Sequence, residues 1–283
     1  MSSDSSPAAP MDPPWGHHAL TGWQKIWLRL THSCPPWGVL RKPLLWWRKP
    51  LKATLRHPVD AEIWGLRLRV QPTGNLSEQR LLLSPQFLDP TERAYMKNRL
   101  RPGSVFLDVG ANIGVYTFWA ATLDDVRIES FEPDPELCQR LRANLAENNL
   151  TQVHLNPFAL GRKHDQASLV RGQHNRGENQ ITSETATDAI TIAVQPLWNV
   201  VNERSIPHID VLKIDVEGHE LEVIEPYLSS APTQQWPQAI ICELDRRLAD
   251  IRQCPIVALL LDRGYQLKHR TRMNGIFEYP SER

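Results

Sequence analysis

The pattern of apolar and polar positions predicts strands and helices in alternation from about residue 60 onward. The apolar runs that suit buried strands cover residues 105–108, 127–131, 153–160, 211–214 and 239–244. Leucines recur every four residues from Leu137 and predict a helix over 135–148. Residues 265–268 and 274–278 predict a closing antiparallel hairpin. This alternation indicates a doubly wound α/β fold with a mostly parallel sheet.

A shorter pattern precedes the first buried strand. Residues 61–70 alternate as a strand, residues 71–75 suit a turn, and residues 80–83 are the expected partner strand. A short helix is predicted over 90–100. This pre-domain segment lies before the central strand and is expected to close over a ligand.

A glycine turn follows the strand over 105–108. Gly110, Asn112 and Gly114 form Gly-x-Asn-x-Gly, which is neither Gly-x-Gly-x-x-Gly nor a phosphate loop with Lys-Ser/Thr. Glycine lets a backbone approach a ligand closely. Asp108 ends the strand, and its carboxylate favours a cationic or zwitterionic ligand, such as the amino-acid end of S-adenosylmethionine, over a pyrophosphate. Alone, the motif also fits an ordinary strand–turn–helix.

A second acid supports a cofactor site. Glu132 follows the next strand, 24 residues after Asp108. An acid at this point accepts hydrogen bonds from the two hydroxyls of a ribose, in NAD sites and S-adenosylmethionine sites alike. Asp108 then favours S-adenosylmethionine.

Four segments in order resemble a known family: Leu-Asp-Val-Gly-Ala-Asn-Ile-Gly (107–114), Phe-Glu-Pro-Asp-Pro (131–135), Ala-Leu-Gly (159–161) and Ile-Asp-Val-Leu-Lys-Ile-Asp-Val-Glu-Gly-His-Glu (209–220). Together they resemble the FkbM-type S-adenosylmethionine-dependent methyltransferases, over roughly residues 60–280. The resemblance implies the class I, Rossmann-like α/β fold. That fold has a mostly parallel seven-stranded sheet with an antiparallel edge hairpin and helices on both faces. For most members it also implies O-methylation of a hydroxyl on a sugar, a glycolipid or a natural product.

The resemblance extends the cofactor site beyond the two acids. It adds Pro133 next to Glu132, and it places Phe158 and Ala159 where this fold usually touches the adenine. Phe158 would stack on the ring, although a core phenylalanine fits the pattern equally well.

The predicted catalytic groups follow the strand over 211–214. Asp215 falls at its carboxyl end, beside the glycine turn, where ligands of open α/β sheets bind. We expect Asp215 to orient or deprotonate the acceptor hydroxyl, with Glu217 and His219 nearby. His219 has the pKa better matched to neutrality, but it sits a helical turn away. The alternatives are a buried structural acid for Asp215 and helix-capping roles for the other two.

Two further residues are candidates for holding the acceptor. Glu243 ends the strand over 239–244, and Asn179 lies in a long polar loop over 161–187. A solvated loop is the alternative for Asn179. Scattered carboxylates without a histidine cluster do not favour a metal, and none is expected.

Charge and composition divide the chain into three parts. Residues 1–20 are rich in Ser, Pro and Ala and are expected to be a disordered tail. Residues 21–59 form a Trp/Arg/Lys-rich arm, and residues 60–283 are the expected methyltransferase domain, with 24 basic and 30 acidic side chains. The net charge of zero and this acidic domain argue against a nucleic-acid partner.

Two interpretations of the arm remain open. Six of the ten tryptophans lie between Trp15 and Trp47, while residues 13–59 carry eight Lys/Arg and no acid. A helical stripe from Trp23 to Leu30 with cations beside it suits peripheral contact with a membrane through residues 21–57. Alternatively, the arm packs its indoles on the domain or on a second subunit. Prolines are expected to break the helix after this stripe.

The expected compartment is the cytoplasm, since the four cysteines show no pairing or zinc spacing, and neither a signal peptide nor a spanning run is found. The leading hypothesis is O-methylation of a sugar or lipid-linked glycan hydroxyl. A small secondary metabolite is the alternative acceptor. A non-catalytic binding subunit with this fold, or an NAD-dependent enzyme, is the alternative class of protein.

Overall fold

A computed structural model of the chain describes residues 13–33, 41–170, 180–182, 189–244 and 250–280. The helices in these ranges are α1 (Gly22–His32), α2 (Arg41–Thr54), α3 (Leu76–Leu83), α4 (Pro90–Arg99), α5 (Val115–Ala121), α6 (Pro135–Glu147), α7 (Leu197–Glu203), α8 (Glu220–Ser230) and α9 (Pro255–Asp262). The strands are β1 (Val59–Ile63), β2 (Leu66–Val70), β3 (Val105–Val109), β4 (Arg127–Phe131), β5 (Val153–Asn156), β6 (Ala159–Leu160), β7 (Asp165–Val170), β8 (Gln180–Thr182), β9 (Ile190–Gln195), β10 (Val211–Ile214), β11 (Ala239–Glu243), β12 (Gln266–Arg270) and β13 (Asn274–Glu278).

The central sheet has seven strands in the order β12-β13-β11-β10-β3-β4-β5. The five neighbouring strands β11, β10, β3, β4 and β5 are parallel, and β13 runs antiparallel beside β11. Residues alternate between two cores along each strand: Phe106 faces one, while Val105 and Leu107 face the other. Helices cover both faces, so the predicted class I, Rossmann-like fold is confirmed.

The strand order reverses at β3, which lies between β4 and β10. The chain runs outward from β3 through β4 to β5, and later returns to build β10 and β11 on the other side. The segments after the neighbouring strands β3 and β10 therefore leave towards opposite faces of the sheet and open a crevice between them, which is where ligands bind in open parallel sheets.

The predicted partner strand at 80–83 is wrong, because these residues lie in α3. The Asn75 side chain caps this helix by accepting hydrogen bonds from the backbone N–H groups of Ser77 and Glu78. The hairpin is instead formed by β1 and β2, with Trp64 and Gly65 at its turn. Both turn residues have positive φ, the geometry of a tight two-residue hairpin loop.

The third predicted strand, 153–160, is two strands in different sheets. β5 ends at Asn156 in the central sheet, and β6 begins at Ala159 in a second sheet of order β6-β9-β7-β8. The sequence did not predict this second sheet. It contributes Leu160 and Leu169 to one wall of the crevice described below.

The arm packs on the body of the protein through leucines and through the partly buried indole of Trp27. Leu28 in α1 and Leu51 in α2 are buried in the same core as Leu81 of α3. His32 Nε2 is 2.7 Å from the Leu82 carbonyl oxygen, and Arg48 donates to Ser84 Oγ at 2.7 Å. Of the two interpretations of the arm, packing on the domain is therefore what the structure shows for these side chains.

The last part of the expected disordered tail, residues 13–20, has a defined structure. Residues 13–20 are fixed by Asp60, whose Oδ2 accepts from the backbone N–H of Gly16 and of His18. Residues 1–12 lie outside the described part. The helix of the stripe, α1, does end at His32, but Pro43 lies in the first turn of α2 and does not break that helix, which also contains Pro50.

No helix in the described ranges combines the length and the apolar character needed to cross a bilayer. Cys138, Cys242 and Cys254 carry free thiols. The fourth cysteine, Cys34, lies outside the described residues.

Candidate active site

A cavity of about 290 Å³ opens at the point where the strand order reverses. The loops after β3, β4 and β10 and the last residue of β11 form its floor and sides. α3, the start of α4, and the segment before β13 form the opposite wall. The predicted pre-domain segment therefore does border the cavity, but through a helix instead of a hairpin.

The glycine turn approaches the loop after β10 so closely that only glycine fits. Gly110 has φ +77°, and a Cβ there would overlap the Asp215 carbonyl oxygen. Its backbone N–H and that of Ala111 both donate to the Phe131 carbonyl oxygen, at 3.0 and 2.9 Å. These donors are already used within the protein, so the turn does not form a phosphate cradle. Gly114, φ +84°, would meet the Leu141 side chain if it carried a Cβ.

Glu132 joins the turn to the end of β4. Its Oε2 accepts from the Asn112 N–H at 2.7 Å, and its Oε1 accepts from the Asp134 N–H at 2.9 Å. The side chain is buried yet lines the cavity. Burial raises the pKa of Glu132 to about 7, although the two N–H donors act in the opposite direction. Each carboxylate oxygen keeps a second lone pair for a ligand hydroxyl.

Asp108 lies behind the glycine turn and does not line the cavity. Its Oδ2 accepts from the Thr117 N–H at 2.9 Å and from Thr117 Oγ1 at 2.6 Å. Its buried Oδ1 has no hydrogen-bond partner among the described residues. Burial raises the pKa of Asp108, and the Lys213 cation opposes this shift.

Asp215 and Lys213 form a salt bridge at the cavity floor. Lys213 Nζ lies 3.2 Å from Asp215 Oδ2, and the lysine side chain is only 8% exposed whereas that of the aspartate is 41% exposed. Burial alone would lower the pKa of Lys213, but Asp215 and Asp108 outweigh it and the net shift is upward. The lysine therefore stays charged at neutral pH and fixes the aspartate in the cavity.

Of the two other predicted catalytic residues, both of which follow β10, Glu217 lines the cavity and His219 does not. Glu217 is exposed, lines the cavity, and has φ +52°, an uncommon backbone conformation for a residue with a Cβ. The Glu220 carboxylate accepts from the N–H groups of Val216 and Gly218 and so fixes this loop. His219 is half-buried at the start of α8 and does not line the cavity.

Of the five remaining predicted contact residues, four line the cavity and one lies outside the described residues. Pro133, Phe158, Ala159 and Glu243 all line the cavity. The Phe158 ring packs edge-on against Phe131, with 5.9 Å between centroids, and is only partly buried. Asn179 lies outside the described residues, so its prediction stays a prediction.

Sequence reasoning missed three residues of the opposite wall. Arg80 of α3 lines the cavity, and so do Asp89 and Tyr116, whose hydroxyl donates to Asp89 Oδ2 at 3.0 Å. Arg80 was missed because its segment was assigned to a strand. Asn75 followed three residues later by Glu78 is a helix-start signal that would have corrected this assignment.

Among the described residues, no group of three His, Cys, Asp or Glu side chains is arranged to hold a metal ion. Glu132 is instead engaged with backbone donors, Asp215 with a lysine and Asp89 with a tyrosine hydroxyl.

The chain is similar to known methyltransferases. The family model of the methyltransferase FkbM domain matches residues 108–267. The 31-O-demethyl-FK506 methyltransferase FkbM of Streptomyces tacrolimicus is 31% identical over 212 residues, or 62% of this chain and 78% of the relative. The hexuronic acid methyltransferase AglP of Haloferax volcanii is 27% identical over 173 residues, 60% of this chain and 69% of the relative.

The chain is also similar to solved structures. Precorrin-6y C5,15-methyltransferase from Geobacter metallireducens has a TM-score of 0.39 and 17% identity, covering 67% of this chain and 89% of that one. Fibrillarin from Aeropyrum pernix, with natively bound S-adenosyl-L-methionine, has a TM-score of 0.41 and 11% identity, covering 66% of this chain and 73% of that one.

The sheet order and the family match together define a methyltransferase enzyme. The chain belongs to the FkbM methyltransferase family. The predicted family is thereby confirmed, and the alternative classes of a non-catalytic binding subunit and an NAD-dependent enzyme lose their basis.

Proposed function

We propose that this protein is an S-adenosylmethionine-dependent O-methyltransferase that methylates a hydroxyl of a sugar or of a lipid-linked glycan. Residues 60–283 form the catalytic domain in this proposal, and residues 21–59 form its arm. The observation that carries the proposal is the placement of Glu132 and Asp215 on opposite sides of the same glycine turn, both lining one cavity.

The residues present fit an adenosine cofactor. Glu132 has a free lone pair on each oxygen for the ribose hydroxyls. The partly buried face of Phe158, with Ala159 and Pro133, suits the adenine. Asp108 lies behind the turn and keeps one buried oxygen without a described partner, so we assign it an indirect part, in which its charge favours the ammonium of the amino-acid end.

When bound, S-adenosylmethionine would supply a methyl group from its sulfonium, with the C–S bond breaking as the new C–O bond forms so that a neutral thioether leaves. The protein has to place the acceptor oxygen in line with that methyl group. We assign this role to Asp215, whose carboxylate accepts the hydroxyl proton as the bond forms. Lys213 holds Asp215 Oδ2, so we assign Oδ1 to the acceptor hydroxyl.

The acceptor side of the cavity is rich in polar groups. Glu217 and Glu243 can accept hydrogen bonds from further hydroxyls, and we retain Asn179 as a contact from the polar loop. His219 lies outside the cavity, so we propose a supporting role for it at the start of α8. Arg80 adds a cation at the wall, and a cation suits a carboxylated sugar such as the hexuronic acid in the name of the AglP relative.

A small secondary metabolite is the second candidate acceptor. It is supported by the higher identity to the relative named for 31-O-demethyl-FK506. Both candidates require the same cofactor and the same methyl transfer to oxygen.

The first experiment is calorimetric titration of S-adenosylhomocysteine and of NADH into the wild-type protein. We expect S-adenosylhomocysteine to bind and NADH not to bind. Methyl transfer from labelled S-adenosylmethionine is then measured with uronic-acid oligosaccharides and with neutral ones of the same length. Binding of NADH without binding of S-adenosylhomocysteine would overturn the proposed cofactor, and equal inactivity on every glycan would move the acceptor to the second candidate.

The raised pKa of Glu132 predicts a pH-dependent affinity. Above about pH 7 the group is a carboxylate that accepts from both ribose hydroxyls, and below it the group is protonated and loses acceptor capacity. We expect S-adenosylhomocysteine to bind about tenfold more weakly at pH 6 than at pH 8. Glu132→Gln is the matched control, with weak binding at both pH values. A wild-type affinity that does not change over this range, or a variant with the same slope, would contradict the assignment.

A further inference from the structure

The arm presents an apolar surface that nothing in the described chain covers. Trp23, Ile26 and Leu30 of α1 are 48%, 62% and 61% exposed, and Trp46 of α2 is 67% exposed. The three residues of α1 lie at positions i, i+3 and i+7, so they form one stripe along the helix. We call these four side chains the apolar stripe.

The stripe is exposed although the arm is well packed. Leu28 and Thr31 of α1 and Leu51 of α2 are buried against the body of the protein. Gln24 Nε2 donates to Thr54 Oγ1 at 3.1 Å and joins the beginning of α1 to the end of α2. The helices are therefore held with one face inward, and the large apolar side chains are on the outward side. Contiguous exposed apolar surface of this kind marks an interaction site.

The charge around the stripe identifies the chemistry of the partner. Lys25, Arg29, Lys49 and Lys52 are exposed on the same two helices. Residues 13–59 contain no acidic side chain. Indole and aliphatic groups that lie beside lysine and arginine complement a bilayer surface, where apolar groups enter the acyl boundary and cations meet anionic headgroups.

The arm also lies close to the mouth of the cavity. α1 contacts α3, where His32 Nε2 is 2.7 Å from the Leu82 carbonyl oxygen. α3 also carries Leu76, which is 49% exposed, and Arg80, and both of these side chains line the cavity. A partner bound to α1 and α2 is therefore separated from the candidate active site by α3.

We propose that the apolar stripe and its surrounding cations bind the surface of a membrane that contains anionic lipid. The inference does not depend on the identity of the acceptor or of the cofactor. A second copy of the chain is a poorer occupant, because a symmetric contact would bring two arms of eight cations each against one another.

The test is co-sedimentation of the full-length protein with two kinds of vesicle. One is phosphatidylcholine alone, and in the other about a third of the lipid is phosphatidylserine. We expect binding to the anionic vesicles that falls as salt is raised, and weak binding to the neutral ones. The triple variant Trp23→Gln, Ile26→Gln, Leu30→Gln should bind about tenfold or more weakly.

Two controls separate the apolar and the electrostatic parts. Lys25→Gln with Lys52→Gln should remove much of the preference for anionic vesicles. Lys97→Gln with Arg101→Gln, the same charge change at exposed positions of the body, should leave it intact. All changed side chains are exposed, so thermal unfolding should be unaffected and serves as the check on folding.

Two results would overturn the proposal. The first is equal partitioning of the wild type and of the triple variant. The second is a wild type that dimerises without vesicles in sedimentation velocity while the triple variant is monomeric, which would assign the stripe to self-association.

Discussion

Replacing Asp215 with asparagine is expected to slow methyl transfer by about 10²–10⁴-fold while S-adenosylhomocysteine still binds. The carboxylate lies at the carboxyl end of β10 and lines the cavity, with Oδ2 held 3.2 Å from Lys213 Nζ. Asparagine keeps the shape of the side chain but cannot take the proton of an acceptor hydroxyl. Single-turnover methyl transfer measures the rate, and calorimetry measures binding.

Glu217→Gln is the comparison for this substitution. Glu217 lies two residues further along the same loop and lines the same cavity, but its side chain is exposed. We expect this variant to change the KM for the acceptor more than the rate of the chemical step. A larger loss of rate in Glu217→Gln than in Asp215→Asn would show that the two roles have been assigned the wrong way round.

Replacing Gly110 with alanine is expected to abolish measurable cofactor binding and to destabilise the protein. The new Cβ would overlap the Asp215 carbonyl oxygen, so the loops after β3 and β10 would have to move apart. Overlap in a packed region costs about 1–3 kcal/mol, and the left-handed backbone adds about 1–2 kcal/mol for a residue with a Cβ. Thermal unfolding and titration with S-adenosylhomocysteine measure the two effects.

Gly103→Ala separates the backbone effect from the overlap. Gly103 has φ +85°, close to the +77° of Gly110, but a Cβ there would meet nothing within 4 Å. It should therefore cost only the backbone part, about 1–2 kcal/mol, and leave cofactor binding unchanged. If both variants lost the same free energy of unfolding and both bound the cofactor, the close approach of the two loops would not be needed for cofactor binding.

The parallel sheet could be predicted because its strands are buried on both faces. Such strands appear as short apolar runs, as at Val105–Val109 and Val211–Ile214, and the acids that follow them fall at one edge of the sheet. This placed Glu132 and Asp215 at the cavity from sequence alone. The position of each acid follows from its place directly after a parallel strand, because the carboxyl ends of such strands lie at the same edge of the sheet.

The parts that could not be predicted depend on contacts far apart in the chain. The apolar run at 80–83 suits a strand as well as a helix, and the cap from Asn75 decides between them. The second sheet needs Ala159 to pair with Val194, and single-sequence patterns do not reveal such pairings. Likewise, the Lys213 side chain is held between Asp215 and Asp108, which only the register of β10 with β3 brings together.

The two backbone contacts of Glu132 have a consequence for the stability of the whole enzyme. This carboxylate ties the glycine turn to the segment before α6, so a ribose that binds to it would tighten both segments at once. Because an unfolded chain has no such site, a cofactor at one hundred times its dissociation constant would add about 2.7 kcal/mol to the free energy of unfolding. The resistance of the protein to proteases would then rise and fall with the supply of methyl donor. Its rate of degradation in the cell would therefore depend on the concentration of that donor.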